Sequence, residues 1–67
     1  MEVKSKLKVI LAERDIKHRE FAEKVGISLA TMSFLVNKKS IPTLPVALRI
    51  ARELELKIED IWQLEKN

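Results

Sequence analysis

The chain has 67 residues and no cysteine, so we expect one small domain, spanning residues 1–67, without disulfides or thiolate metal sites. Its formal net charge of +3 is uneven: residues 1–40 hold nine Lys/Arg and five Asp/Glu, whereas residues 41–67 hold four and five. No apolar run approaches the roughly 20 residues that a membrane span needs, and no cleavable signal precedes the first amphipathic segment. We therefore expect a cytoplasmic protein with no membrane partner.

The first amphipathic pattern covers residues 3–14 and has helical spacing. Its apolar residues share one face, and its lysines, which we interpret as solvated, share the other. No clear N-cap precedes the pattern, so its first few residues could instead be extended. The apolar face is made of Val3, Leu7, Ile10 and Leu11, and the lysines are Lys4, Lys6 and Lys8.

Residues 16–39 predict two short helices that are separated by Gly26, the only glycine. The first should cover residues 17–25, although Lys17 is a poor N-cap. Gly26 can take the positive φ that ends a helix, and Ser28 can then cap a second helix over residues 28–36. A helix, a glycine turn and a capped helix together predict a helix-turn-helix, whose second helix can lie in the DNA major groove.

The second helix of this unit is apolar on nearly every side. Met32 and Leu35 have the spacing of core residues, but Leu29, Ala30 and Phe34 are apolar too. Such a helix is either buried on both sides or offers an apolar face to a partner.

The remaining residues predict a loop and two more helices. The loop covers residues 37–43 and begins with Asn37, which tolerates the left-handed conformation. Thr43 reads as the N-cap of a fourth helix with Pro45 in its first turn. The apolar face of this helix is made of Leu44, Ala47, Leu48, Ile50, Ala51 and Leu54. A last short helix should cover residues 59–64. Five helices with short connections predict an all-α, compact five-helix fold.

These residues resemble the lambda-repressor-like, Cro/repressor-type helix-turn-helix proteins of the XRE family over almost the whole chain. The resemblance rests on the segments 21–28, 47–51 and 58–62, together with Ile16, Thr31, Met32, Leu35, Asn37 and Pro42. It implies a transcriptional regulator, in particular a repressor that binds a two-fold symmetric operator in double-stranded DNA as a homodimer. It implies no enzyme activity and no cofactor.

Site residues follow partly from this resemblance. The residues that we expect to face bases are Leu29, Ala30, Ser33 and Phe34; all but Ser33 match base-contacting positions of the family, and Ser33 is the polar side chain left to bond a base edge. The residues expected to contact DNA phosphates are Lys17, His18, Ser28, Thr31, Asn37, Lys38 and Lys39. The residues expected at a dimer interface are Ile58, Ile61, Trp62 and Leu64, although Trp62 could instead close the core.

The chain departs from the family pattern at three kinds of position. Three of the base-facing positions are apolar, so no bidentate amide or guanidinium contact with a base is available from them. Leu11 and Val36 replace an Arg–Glu pair that is often buried in the family, and we predict that these two side chains touch. Residues other than glycine stand where glycines are usual at turns, namely Asp15, Lys38 and Glu55.

A different class of function is a helix-turn-helix scaffold that recognises a protein through Leu29, Met32 and Phe34. An antitoxin that binds both its toxin and its own operator lies between the two interpretations. His18 is the only histidine, and no cluster with metal-ligand spacing surrounds it, so we predict no metal site. A Ser28–His18–Asp15 arrangement lacks a sizeable pocket in so small a bundle, so we predict no catalysis.

Overall fold

The computed structural model describes residues 2–65, which form five helices and two short strands. The expected all-α class is confirmed, because the strands make only a small ribbon beside the helices. None of the helices within residues 2–65 is long and apolar enough to cross a membrane. In chain order the elements are β1 (Glu2–Ser5), α1 (Leu7–Glu13), α2 (His18–Val25), α3 (Leu29–Val36), α4 (Leu44–Leu54), α5 (Ile58–Ile61) and β2 (Trp62–Glu65).

The core is made of apolar side chains from every helix, and none of the described polar or charged residues is buried. Leu11 and Val36 are both fully buried, on two helices that pack against each other. That their side chains touch stays a prediction, which a coupling free energy in a double-mutant cycle would test. The largest buried side chains are Phe21, Leu7, Leu11, Met32, Ile50, Leu54, Ile61 and Val36.

The two strands pair antiparallel and bring the two ends of the described chain together. Val3 lies opposite Leu64, and Ser5 lies opposite Trp62. The helix predicted over residues 3–14 therefore begins only at Leu7, and the extended alternative for its first residues is correct.

The last helix, predicted over residues 59–64, is present, but its predicted end was wrong. The helix α5 is a single turn that ends at Ile61, and the chain continues as β2. The reason is that β1 supplies backbone hydrogen-bond partners to residues that a short terminal helix would leave bonded only to water. Residues 62–65 also alternate apolar and polar side chains, which suits a strand.

A residue in the left-handed conformation follows each of the first four helices, within two residues of the helix end. These residues are Asp15, Gly26, Lys38 and Glu55, with φ of 56°, 82°, 62° and 58°. In each case the amide of the next residue donates to a carbonyl five residues before it, as Ile27 does to Ala22 over 3.0 Å. The three turns that lack the family's glycine thus keep the conformation that glycine favours. Asn37, which tolerates the left-handed conformation, does not adopt it, since its φ is −88°.

The helix starts follow the predicted capping residues in part. Ser28 accepts a hydrogen bond from the amide of Thr31 over 3.0 Å, which confirms it as the N-cap of α3. Thr43 precedes α4 as predicted, with Pro45 in the first turn, but among the described residues its hydroxyl makes no capping hydrogen bond. Leu44 and Leu48 were predicted on the inner face of α4, but both side chains are more than half exposed.

Candidate nucleic-acid interface

The turn between α2 and α3 is held by a residue of α4. The guanidinium of Arg49 donates to the carbonyl of Val25 over 3.3 Å, at the last residue of α2. The same guanidinium nitrogen lies 3.6 Å from the place that a Cβ on Gly26 would take. Arg49 therefore ties α4 to the C-terminal end of α2, next to the turn of the unit. The sequence pattern did not point to this role, because Arg49 belongs to a different helix.

The helix α3 buries one side and exposes the other. Met32, Leu35 and Val36 are buried in the core. On the outer side Leu29 is 39% exposed and Phe34 is 52% exposed. The fold thus brings together the four residues predicted to face bases, because their helical spacing puts them on one side of α3. They are Leu29, Ala30, Ser33 and Phe34, of which Ser33 is half-buried and the others exposed.

The polar side chains next to this apolar surface are hydrogen-bonded to each other. The Ser28 hydroxyl donates to the Thr31 hydroxyl oxygen over 2.9 Å, and the Asn37 amide donates to the Ser33 hydroxyl oxygen over 3.3 Å. The hydroxyl protons of Thr31 and Ser33 remain available, since both oxygens act as acceptors in these bonds. Each can donate a hydrogen bond to a phosphate or a base edge.

The predicted cations lie in two different surroundings. Lys38 and Lys39 line an open groove that contains one carboxylate, that of Glu2; Val3, Ser40 and Ile41 complete its lining. Lys17 instead shares a groove with the carboxylates of Asp15, Glu20 and Glu53, so its local charge is mixed. Lys17 also provides no side-chain cap to α2 within the described residues, which leaves the first-turn amides of that helix free to bind an anion. His18 is exposed at the same helix start.

One further lysine belongs with this basic group. Lys8 lines a shallow groove together with Asn37 and Lys38. From the sequence pattern we interpreted Lys8 as part of a solvated face with Lys4 and Lys6. Spacing along α1 could not show that this helix packs against α3, which is a long-range contact. Lys8 is therefore a phosphate candidate that the sequence analysis missed.

The four residues predicted for a dimer interface lie where α5 joins β2, and their exposure differs widely. Ile61 is fully buried, whereas Leu64 is 66% exposed. Ile58 and Trp62 are half-buried and pack against the core. Trp62 thus covers one side of the core, and only Leu64 offers most of its side chain to a partner.

The candidate site is a surface rather than a pocket. The grooves beside it are open and shallow. Residues 2–65 contain no group of three or more His, Cys, Asp or Glu side chains that could hold a metal ion. What the fold presents is an apolar patch on α3 with lysines and a free helix start around it. This arrangement suits an extended, negatively charged partner that also has apolar groups.

Known proteins are similar to this chain in sequence and in fold. A family model described as a Cro/C1-type HTH DNA-binding domain matches residues 6–67. An uncharacterized HTH-type transcriptional regulator of Archaeoglobus fulgidus is 35% identical over 60 residues, covering 90% of this chain and 84% of the relative. Another from Methanocaldococcus jannaschii is 35% identical over 63 residues, covering 94% and 96%. The crystal structure of a candidate DNA-binding protein from Bacteroides fragilis matches with a TM-score of 0.83 and 29% identity, covering 92% of this chain and all of that one.

Proposed function

Because the chain belongs to the Cro/C1-type helix-turn-helix family of DNA-binding transcriptional regulators, we propose that it is a repressor. It binds a two-fold symmetric operator in double-stranded DNA as a homodimer in the cytoplasm. The observation that carries the proposal is the exposed outer side of α3, the helix that follows the glycine turn beside Arg49. In this family geometry α3 is the helix that lies in the major groove.

The base contacts of such a helix are mainly apolar. Leu29 and Ala30 contact thymine methyl groups, and Phe34 contacts a methyl group or a sugar. Ser33 is the one polar member of the set, and its hydroxyl proton is available to a base edge. So few polar contacts give little direct discrimination, and the shape and deformability of the operator therefore supply much of the specificity.

Phosphate contacts position the domain. Thr31 donates its hydroxyl proton, and Asn37 its second amide proton, to phosphates beside α3. The uncapped start of α2 holds a further phosphate with its backbone amides. The side chains that complete this set are Lys17, His18, Ser28, Lys38 and Lys39, with Lys8 added from the structure.

Two copies are needed because one domain places one helix in one groove. A two-fold dimer reads two half-sites about 34 Å apart, and its added contacts offset the small core of a short chain. The dimer contact includes Leu64, the most exposed of the four residues at the α5–β2 junction. The other three residues lie in the core or pack against it at the same junction; they are Ile58, Ile61 and Trp62.

The experiment is selection of bound duplexes from a random DNA library, followed by measurement of the stoichiometry on the selected site. We expect a two-fold symmetric site that binds two copies of the chain. Recovery of unrelated sequences bound without preference would contradict the proposal.

A second candidate function is recognition of another protein, as in an antitoxin. The observation that favours it is the exposure of two large apolar side chains on α3, Leu29 and Phe34. Met32, included in this patch from the sequence, is fully buried and cannot contribute. An apolar protein contact should be nearly independent of salt concentration, whereas binding to phosphates weakens steeply as salt rises.

A further inference from the structure

The strand β1 has an outer edge whose backbone groups point away from β2. The amide of Lys6 donates to the carbonyl of Ile61 over 2.8 Å, and these two residues continue the register of the ribbon. Hydrogen-bonded and non-hydrogen-bonded pairs alternate along an antiparallel ladder. Lys4 and Glu2 therefore bond to β2, whereas the N–H and C=O groups of Val3 and Ser5 point outward. Among residues 2–65 no third strand pairs with this edge.

We propose that the occupant of this edge is the β1 strand of a second copy of the chain. The proposal rests on the homodimer proposed above and names its contact. The two strands run antiparallel about a two-fold axis beside Val3. The amide of each Val3 donates to the carbonyl of the partner's Val3, so the outward backbone groups of that residue are used in both copies. The two ribbons then form one four-stranded sheet.

The charges of β1 favour this register. With Val3 opposite the partner's Val3, Glu2 lies opposite the partner's Lys4, and the symmetry repeats this pair of opposite charges. A register centred on Ser5 would also use outward backbone groups, but it would put Lys4 opposite the partner's Lys6. Like charges placed directly opposite each other destabilise a sheet. The sequence Glu2-Val3-Lys4 is thus self-complementary about its middle residue.

The surroundings of β1 offer both space and apolar surface. Val3 is 38% exposed and lies opposite the exposed Leu64 in the ribbon. The open groove that Lys38 and Lys39 line is also lined by Glu2, Val3 and Ile41, and it leaves room next to the strand. A second strand there shields apolar side chains from water in both copies. The outer edge of β2 has no such charge pattern, because a register centred on Leu64 sets Gln63 opposite the partner's Glu65.

A pair of proline variants tests which edge is used. Val3→Pro removes an amide that points outward and is not needed for the β1–β2 ladder. Leu64→Pro removes the corresponding outward amide on the outer edge of β2, so it tests the competing edge, and it also removes an apolar side chain beside the proposed contact. We expect sedimentation equilibrium without DNA to show dimerisation weakened at least about tenfold by Val3→Pro, since two symmetric hydrogen bonds are lost. Leu64→Pro removes apolar surface beside the contact but no hydrogen bond across it, so it should weaken the dimer less than Val3→Pro does.

Wild-type dimerisation by Val3→Pro would overturn the proposal, as would a loss confined to Leu64→Pro or a wild-type chain that stays monomeric. Thermal unfolding of both variants reports whether the ribbon and core remain intact. A charge exchange gives a second test that does not involve the backbone. Glu2→Lys and Lys4→Glu should each weaken the dimer, and the double variant should restore it. Failure of restoration would reject the Val3-centred register.

These measurements need no DNA, so they separate the dimer contact from the proposed function. A chain that dimerises through β1 but selects no DNA site would disprove operator binding and leave the contact in place. If the wild-type chain selects a symmetric site while Val3→Pro still dimerises, operator binding is supported and the β1 contact is rejected.

Discussion

The guanidinium of Arg14 donates a hydrogen bond of 2.8 Å to the carbonyl of Leu54, which lies 40 residues further along the chain. Arg14 is the C-terminal cap of α1, and Leu54 is the last residue of α4. The bond joins the ends of two helices that are both followed by a left-handed residue. It also brings a positive charge to the negative end of the α4 dipole.

Arg14→Ala should lower the free energy of unfolding by about 1 kcal/mol, because a carbonyl at a helix end loses a charged donor. A loss of this size lowers Tm by about 4–8 °C in a domain this small. Arg52→Ala is the matched control, since Arg52 is an exposed arginine in the last turn of α4. It should cost less than about 0.5 kcal/mol. Equal losses in the two variants would mean that the bond to Leu54 adds nothing specific.

Glu55→Gly should raise the free energy of unfolding by about 0.5–1 kcal/mol, since glycine adopts the left-handed conformation without the strain of a side chain. The φ of 58° at Glu55 is the reason to choose this position. Gly26→Ala is the opposite change at a turn of the same geometry and should destabilise by about 1 kcal/mol. The midpoints of urea unfolding measure both. A lower midpoint for Glu55→Gly would contradict the strain argument.

Phe34→Ala should change which DNA sequences are selected from a random library while leaving stability nearly unaltered. The side chain of Phe34 is mostly outside the core, so its removal opens no internal cavity. Val9→Ala, a similar truncation at an exposed position of α1, is the control and should select the wild-type site. If Phe34→Ala disturbs only dimerisation or a protein complex, Phe34 does not face bases.

Lys39→Ala should weaken binding about equally for all duplex sequences and flatten the slope of log K against log salt by about one unit per lost phosphate contact. Lys24→Ala is the control, because Lys24 lines a groove with several carboxylates and is not in the proposed phosphate set. Binding isotherms at a series of salt concentrations give both slopes. An unchanged slope for Lys39→Ala removes this residue from the interface.

The central helices were predictable because local chemistry determines their ends. Gly26 ends α2 at the expected residue, and Ser28 caps α3 through its hydroxyl. At three other turns the family usually has glycine, and the absence of glycine suggested loops that differ in detail. Asp15, Lys38 and Glu55 are nevertheless left-handed, so the turn geometry is kept without the glycine.

The ribbon was not predictable in the same way. Its strands have four residues each, and they pair across nearly the whole length of the chain. Apolar residues 58, 61, 62 and 64 fit a helical face as well as a strand, so the spacing alone could not decide. For the site, helical spacing correctly separated the exposed and buried sides of α3. The role of Arg49 and the position of Lys8 depend on packing between helices, which no local pattern encodes.

The most direct test of DNA recognition is the salt dependence of duplex binding by the wild-type chain, measured on the selected site. We expect a slope of log K against log salt of about −4 or steeper, because four or more phosphates are contacted. A slope near zero, or no retention of duplex at low salt, would contradict operator binding and favour the exposed Leu29 and Phe34 as a contact for another protein.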